Sequence, residues 1–188
     1  MAGNNTVMRN EIADFLNVGK DTDKYVFMGT GFNTLDENPN AQIDTKAYIS
    51  DKSASNIIKG YQPQYPLDSD LIESEEAIME LYLIGRNRLQ GVEAERDYIR
   101  VELFMGELEA DTYPARKSRV AVEVSGVTGG GAEVIHVAGN LNNVGDFVDG
   151  KFNIVTKTFA AIKSAEIATT EPIVSEEIAT TEPIVSEE

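Results

Sequence analysis

The sequence predicts a mainly β protein: a β-sandwich or partial barrel with one flanking α-helix and a long polar hairpin or loop. Three observations lead there. Short runs of apolar–polar alternation recur at intervals of roughly 8–15 residues after position 95, as strands joined by turns do. One stretch alone, within residues 68–88, carries strong helical apolar spacing. With 41% hydrophobic residues in 188, a body of about 160 residues buries roughly two-thirds of its unfolded surface, enough for a core without staples.

The elements follow in chain order. Residues 1–20 are polar apart from Ile12, Phe15 and Leu16, and are expected to form an N-terminal arm or a single turn. "KYVFMGTGF" (Lys24–Phe32) reads as a strand ended by glycines, and "LDENPN" (Leu35–Asn40) as a turn. "AQIDTKAYIS" and "SASNIIKGYQPQY", joined by "DKS", form the hairpin or loop, which Pro63 and Pro66 are expected to close. In "DSDLIESEEAIMELYLIGRNR", Asp70 and Glu73 have capping-box spacing, and acidic residues crowd the start while Arg86 and Arg88 follow the end. This predicts a helix over about 70–86, with Leu71, Ile78, Leu81, Tyr82 and Ile84 inward and Gly85 or Gly91 as the stop. "DYIRVELF" then places Ile99, Val101 and Leu103 on one face, with Tyr98, Arg100, Glu102 and Phe104 on the other. "RVAVEVS" places Val120, Val122 and Val124 inward and Arg119, Ala121 and Glu123 outward. "TGGGAE" is a hairpin turn, "VIHVAGN" the next strand, and "GKFNIVTKTF" the closing segment. The domain proper is expected over 21–160.

Composition narrows function. There are 32 acidic and 16 basic residues, a net charge of −16. Residues 161–188 hold seven Glu and one Lys, or −6, which leaves −10 on the body. Such a chain is not built to grip nucleic acid, because binding relies on Lys and Arg neutralising phosphates. No Cys is present, which excludes disulfides, thiol chemistry and Cys-based zinc sites. No apolar run approaches the ~20 residues of a membrane span, and the N-terminus has no secretory signal pattern.

Catalytic signals are sparse. His136 is the one histidine and reads as a structural residue in mid-strand beside Val134 and Ala138. No G-x-S-x-G elbow exists. Gly29-Thr30-Gly31 lacks the rest of a dinucleotide fingerprint, and "TGGGAE" lacks the Lys-Ser/Thr of a phosphate loop. Asp21-Thr22-Asp23 opens like a calcium loop but lacks the later ligands. A structural or binding protein is expected, with no catalytic residue, cofactor or metal.

Four strings appear in order: "RNEIADFLNVG", "YVFMGTGFNTLDENPNAQIDTKAYISDKS", "DLIESEEAIMELYLIGRNRLQGVEAERDYIRVELF" and "YPARKSRVAVEVSGVTGGGAEVIHVAGNLNNVGDFVDGKFN". Together, from about Arg9 to Phe159, they make the chain resemble the major tail tube proteins of long-tailed bacteriophages of Gram-positive hosts. The resemblance implies a tail-tube β-sandwich whose copies form hexameric rings, stacked head-to-tail into a virion tail tube that conducts DNA into the host. It further implies assembly in the host cytoplasm, contacts with tape-measure, distal tail and tail terminator proteins, and neither specific DNA binding nor a membrane. It assigns the region Asn33–Pro66 and the N-terminal arm to contact with the next ring, with Asp36, Glu37, Asp44, Lys46, Asp51 and Lys52 as the charged candidates. Glu102 and Glu123, on polar strand faces, are the lumen candidates. An Ig-like decoration or binding module on a virion or cell surface is the alternative.

Outside the resemblance lies the acidic C-terminal extension, 161–188, in which the unit IATTEPIVSEE spans 167–177 and recurs unchanged at 178–188. Pro172 and Pro183 break any helix, and the 11-residue period with one Pro per unit excludes a coiled coil. The extension is read as flexible, or as docking Ile173-Val174 and Ile184-Val185 on the outer wall or a neighbouring subunit.

Overall fold

The computed structural model describes residues 6–50 and 52–162. In chain order its strands are β1 (Ile12–Asn17), β2 (Tyr25–Phe27), β3 (Phe32–Leu35), β4 (Ala41–Lys46), β5 (Ser55–Tyr61) and β6 (Gln64–Asp70). The helix α1 (Glu76–Asn87) follows, then β7 (Glu95–Glu102), β8 (Thr112–Thr128), β9 (His136–Asn143), β10 (Val148–Asn153) and β11 (Thr158–Ala161). Nine strands form one sheet, with the order β2-β1-β7-β8-β9-β6-β3 and β10–β11 branching from β8, while β4 and β5 pair only with each other. The architecture is therefore mainly β with one α-helix, as expected.

The 17-residue β8 organises the sheet. Its residues 112–117 pair with β10 and its residues 120–128 pair with β9, while β7 runs along 115–121. The sheet thus forks near Ser118. Alternate residues of a strand point to opposite faces, and here both faces of β1 and β7 are covered. Leu16, Tyr98, Val120, Val122 and Leu141 join Ala77, Leu81 and Ile84 of α1 in one core. Ala13, Phe15, Tyr25, Ile99, Val101 and Ala115 join Phe152 of β10 in the other. Phe152 seals this second core, its ring 4.7 Å from Phe15 and 5.8 Å from Tyr25.

Several expectations change. Residues 12–17 are not part of an arm: they form β1, five of its six residues buried, between β2 and β7. Lys24–Phe32 is not one strand. It breaks between β2 and β3, where Gly31 takes φ +79 and a Cβ would meet methyls of Ile72 and Ile78 at 2.7–2.8 Å. Pro66 does not close the hairpin but lies within β6, opposite Asn140 of β9. The helix starts at Glu76, because Asp70 pairs with His136 at the end of β6 instead of capping a helix. Neither predicted glycine stops α1. Arg88 ends it with φ 52, donating its N–H to the Gly85 carbonyl, while Gly85 lies inside the helix where it crosses Val124. "GKFNIVTKTF" is a hairpin, β10–β11, turned at Lys157 with φ 56. Ala161 belongs to β11, one residue past the expected boundary at 160. The two repeat units lie outside the described residues.

Candidate functional site

Three features of the fold bear on function: a projecting arm, the charged root that holds it, and one uncovered sheet face. The arm is β4–β5. Not one of its residues is buried, yet Ile43, Ile57 and Ile58 are 62%, 55% and 55% exposed, with Tyr48 and Tyr61 also in the open. A two-stranded hairpin alone is marginal in water, and apolar side chains gathered on an exposed element mark an interaction surface. The polar hairpin of the sequence reading is thus studded with isoleucines. Asp44 pairs with Lys59 across the arm (3.0 Å) and with Lys46 on its own strand (3.8 Å). Lys52 is exposed near the tip and Asp36 at the base, while Asp51 lies outside the described residues.

The arm continues the β3–β6 hairpin. Asn38 and Gln64 exchange backbone hydrogen bonds of 2.8 and 2.9 Å, and Asp36 donates to Pro66 (3.1 Å). Beyond them Asn40 takes φ 46, an αL kink that Asn tolerates better than most residues. Glu37, expected to reach another ring, instead turns inward at this root. Its carboxylate accepts from Arg100 Nη1 (2.8 Å) and from Arg116 Nη2 (3.3 Å), and Arg116 also donates to Glu102 (3.2 Å). Beneath them Asp14, fully buried, accepts from Arg100 Nε (2.8 Å), Arg9 (2.5 Å) and the Tyr98 hydroxyl (2.5 Å). Burial and the Asp14 carboxylate together push the Tyr98 hydroxyl well above its usual pKa. Arg100 rises too, its burial outweighed by Tyr98, Asp14 and Glu37 around it. Arg9, Asp14, Tyr98 and Arg100 were missed in the sequence. The available signal was a charge in the middle of an apolar strand, Asp14 in "IADFLN" and Arg100 in "DYIRVELF".

Strand phase separates the two lumen candidates. Glu102 shares the phase of Tyr98 and Arg100, so it lies on the helix-bearing side and is tied to Arg116. Glu123 lies on the opposite face, exposed, accepting from Asn142 Nδ2 (2.9 Å). No single surface takes both. Around Glu123 the face carries Ala121 of β8, Asn142, Asn140, Ala138 and His136 of β9, and Asp68 and Asp70 of β6. Neither core covers it. His136 opens β9 rather than lying within it, with Nδ1 3.2 Å from Asp70 Oδ1, and Asn33 donates to both Asp68 and Asp70.

A groove of about 610 Å³ runs between the 19–23 loop, α1 and β7. Both of its arginines are paired with its carboxylates: Arg96 with Glu80, and Arg119 with Glu95 and Asp97. Among the described residues no cluster of acidic or histidine side chains could hold a metal, and no helix is long and apolar enough to cross a membrane.

No family model matches the chain, and no curated protein matches its sequence. Among solved structures, it is similar to the subunit of the SPP1 tail tube determined by solid-state NMR and cryo-EM. That match has TM-score 0.59 and 9% identity and covers 77% of this chain and 78% of that one. The baseplate of the anti-feeding prophage, determined with 6-fold symmetry, matches at TM-score 0.41 and 7% identity, over 73% of this chain and 89% of that one. The first match establishes a shared fold; the second is too distant to argue from.

Proposed function

We propose that this chain is a structural, non-enzymatic subunit of a bacteriophage tail tube, whose copies close into hexameric rings that stack into a conduit for DNA. The observation that carries this reading is the arm. Among the described residues nothing covers its isoleucines, a second copy of the chain would, and the body has the fold of a tail tube subunit. A contact from an arm to a different patch on the next copy is heterologous, and a heterologous contact that does not close on itself yields a filament. The sheet supports the same reading. β2, β3 and β11 are its edge strands, and pairing edges between copies removes an aggregation hazard. The uncovered face then lines the bore, with Glu123, Asp68 and Asp70 directed at passing DNA. DNA carries one phosphate charge per ~1.7 Å, and carboxylates let it pass where lysines would hold it. Glu102 and Glu37 have no part in the bore or the ring contact, being consumed within the chain. The arm's remaining candidates, Asp44, Lys46 and Lys52, lie on the inter-ring surface, as does Asp36 at its base. Tape-measure, distal tail and terminator proteins are the further partners, the virion tail is the location, and assembly takes place in the host cytoplasm.

Cryo-electron microscopy of concentrated full-length protein tests this. Tubes with a regular axial ring repeat are expected. A chain that stays monomeric at every concentration and salt tried overturns the reading.

A further inference from the structure

The geometry points to Arg100 as the positioning residue that fixes the direction of the arm. It is 6% exposed, and it touches both strands of the hairpin just before they leave the sheet. On the outgoing strand Nη1 donates to Glu37 (2.8 Å) and Nη2 to the Leu35 carbonyl (3.5 Å). On the returning strand the guanidinium lies 5.3 Å from the centre of the Tyr65 ring, within range of a cation–π contact. Nε is anchored to buried Asp14 (2.8 Å), so the fork does not swing freely. Arg9 holds the same carboxylate and also donates to Leu35 O (3.2 Å), which ties the N-terminal segment into the same grip.

The need for such a grip follows from the arm. Past Asn40 no side chain of β4 or β5 is buried, and the side-chain contacts at the root are the ones that join its base to the body. Seven residues of strand reach ~20 Å, and a rotation of about 10° at the base moves the tip by about 3–4 Å. Apolar packing tolerates small slides. A planar guanidinium fork with three differently directed partners does not, and a buried ionic group used to set one arrangement has precedent in register control. Arg116 supports the fork by holding Glu37 from the other side (3.3 Å).

The test is an intrachain distance, so it stands whether or not rings form. The chain contains no Cys, so Lys59→Cys on the arm and Arg86→Cys at the end of α1 accept nitroxide labels uniquely. Labelled full-length chain is diluted into unlabelled chain, and the label separation is read by double electron–electron resonance. One narrow distance is expected for the parent. Glu37→Ala and Arg100→Lys, each checked for folding by circular dichroism, are expected to at least double the width of the distribution or to shift its centre. Lys46→Gln, which touches only an ion pair within the arm, leaves it unchanged. A parental distribution in folded Glu37→Ala overturns the proposal, and that variant alone decides if Arg100→Lys does not fold.

Discussion

Asp14 is the residue on which the root turns. A carboxylate with no exposed side-chain surface survives only with strong partners, and it has Arg9, Arg100 and Tyr98. Truncating Arg100 to Ala leaves that charge poorly paired, so we expect a loss of about 3–5 kcal/mol in urea denaturation, against less than about 1 kcal/mol for the more exposed pair broken by Lys59→Ala. The titrations agree in sign. Tyr98, Tyr65 and Tyr25 are raised above 10.0, chiefly by burial. Lys117 is raised above 10.5, the pull of Asp97 and Tyr25 exceeding its burial penalty. In each case the folded state keeps a proton that the unfolded chain releases. The contribution of these groups to stability is therefore complete below pH 10 and falls as pH rises past it, and denaturation series between pH 8 and 11.5 should show this decline, shallower in Tyr98→Phe. These residues were hard to read from sequence because ion pairs carry no periodicity: Asp14 and Arg100 stand 86 positions apart.

Among the elements, β7 and β8 were legible and β1 was not, for one reason. In "RVAVEVS" one face is buried and the other wet, so alternation shows. In "IADFLN" both faces are buried, with Asp14 satisfied by distant Tyr98 and Arg100 and Asn17 by the turn that follows it, through Gly19, Asp23 and Lys24, so the polar letters disguise a central strand. The helix start misled similarly. Asp70 and Glu73 fit a cap, but pairing of β6 with β9 claims Asp70 first. The helix also holds a sharp test of packing against propensity. Gly→Ala inside a helix ordinarily stabilises by roughly 0.5–1 kcal/mol. At Gly85 a new Cβ would lie 2.7 Å from Val124 Cβ, so we expect net destabilisation of about 1–3 kcal/mol, with a favourable coupling to Val124→Gly, which removes that Cβ, in a double-mutant cycle. The arm predicts the opposite pattern: replacing 41–61 with a short turn should leave the melting temperature nearly unchanged while abolishing any assembly seen by light scattering.

For the molecule as a whole, the bore assignment distinguishes faces. Tubes of Glu123→Lys/Asp70→Lys chains should retain short duplex DNA that parent tubes release, read by co-sedimentation at low salt. Glu102→Gln tubes should behave as the parent does, because Glu102 lies on the other side of the sheet. Truncation after Ala165 is expected to leave tube formation intact, checked by microscopy of the shortened chain.

By itself the sequence determined the mainly β class, the single helix, a long polar hairpin or loop, the acidic charge and the repeated ending. All of these are local or additive: periodicity over a few residues, counts of charge, identity between neighbouring segments. Only the tertiary structure decided that residues 12–17 are central, that Glu102 and Glu123 face opposite ways, and that Glu37 turns inward. Those outcomes depend on which strands become neighbours and which face each core covers, and that is set by contacts between residues as far apart as Glu37 and Arg100, 63 positions along the chain.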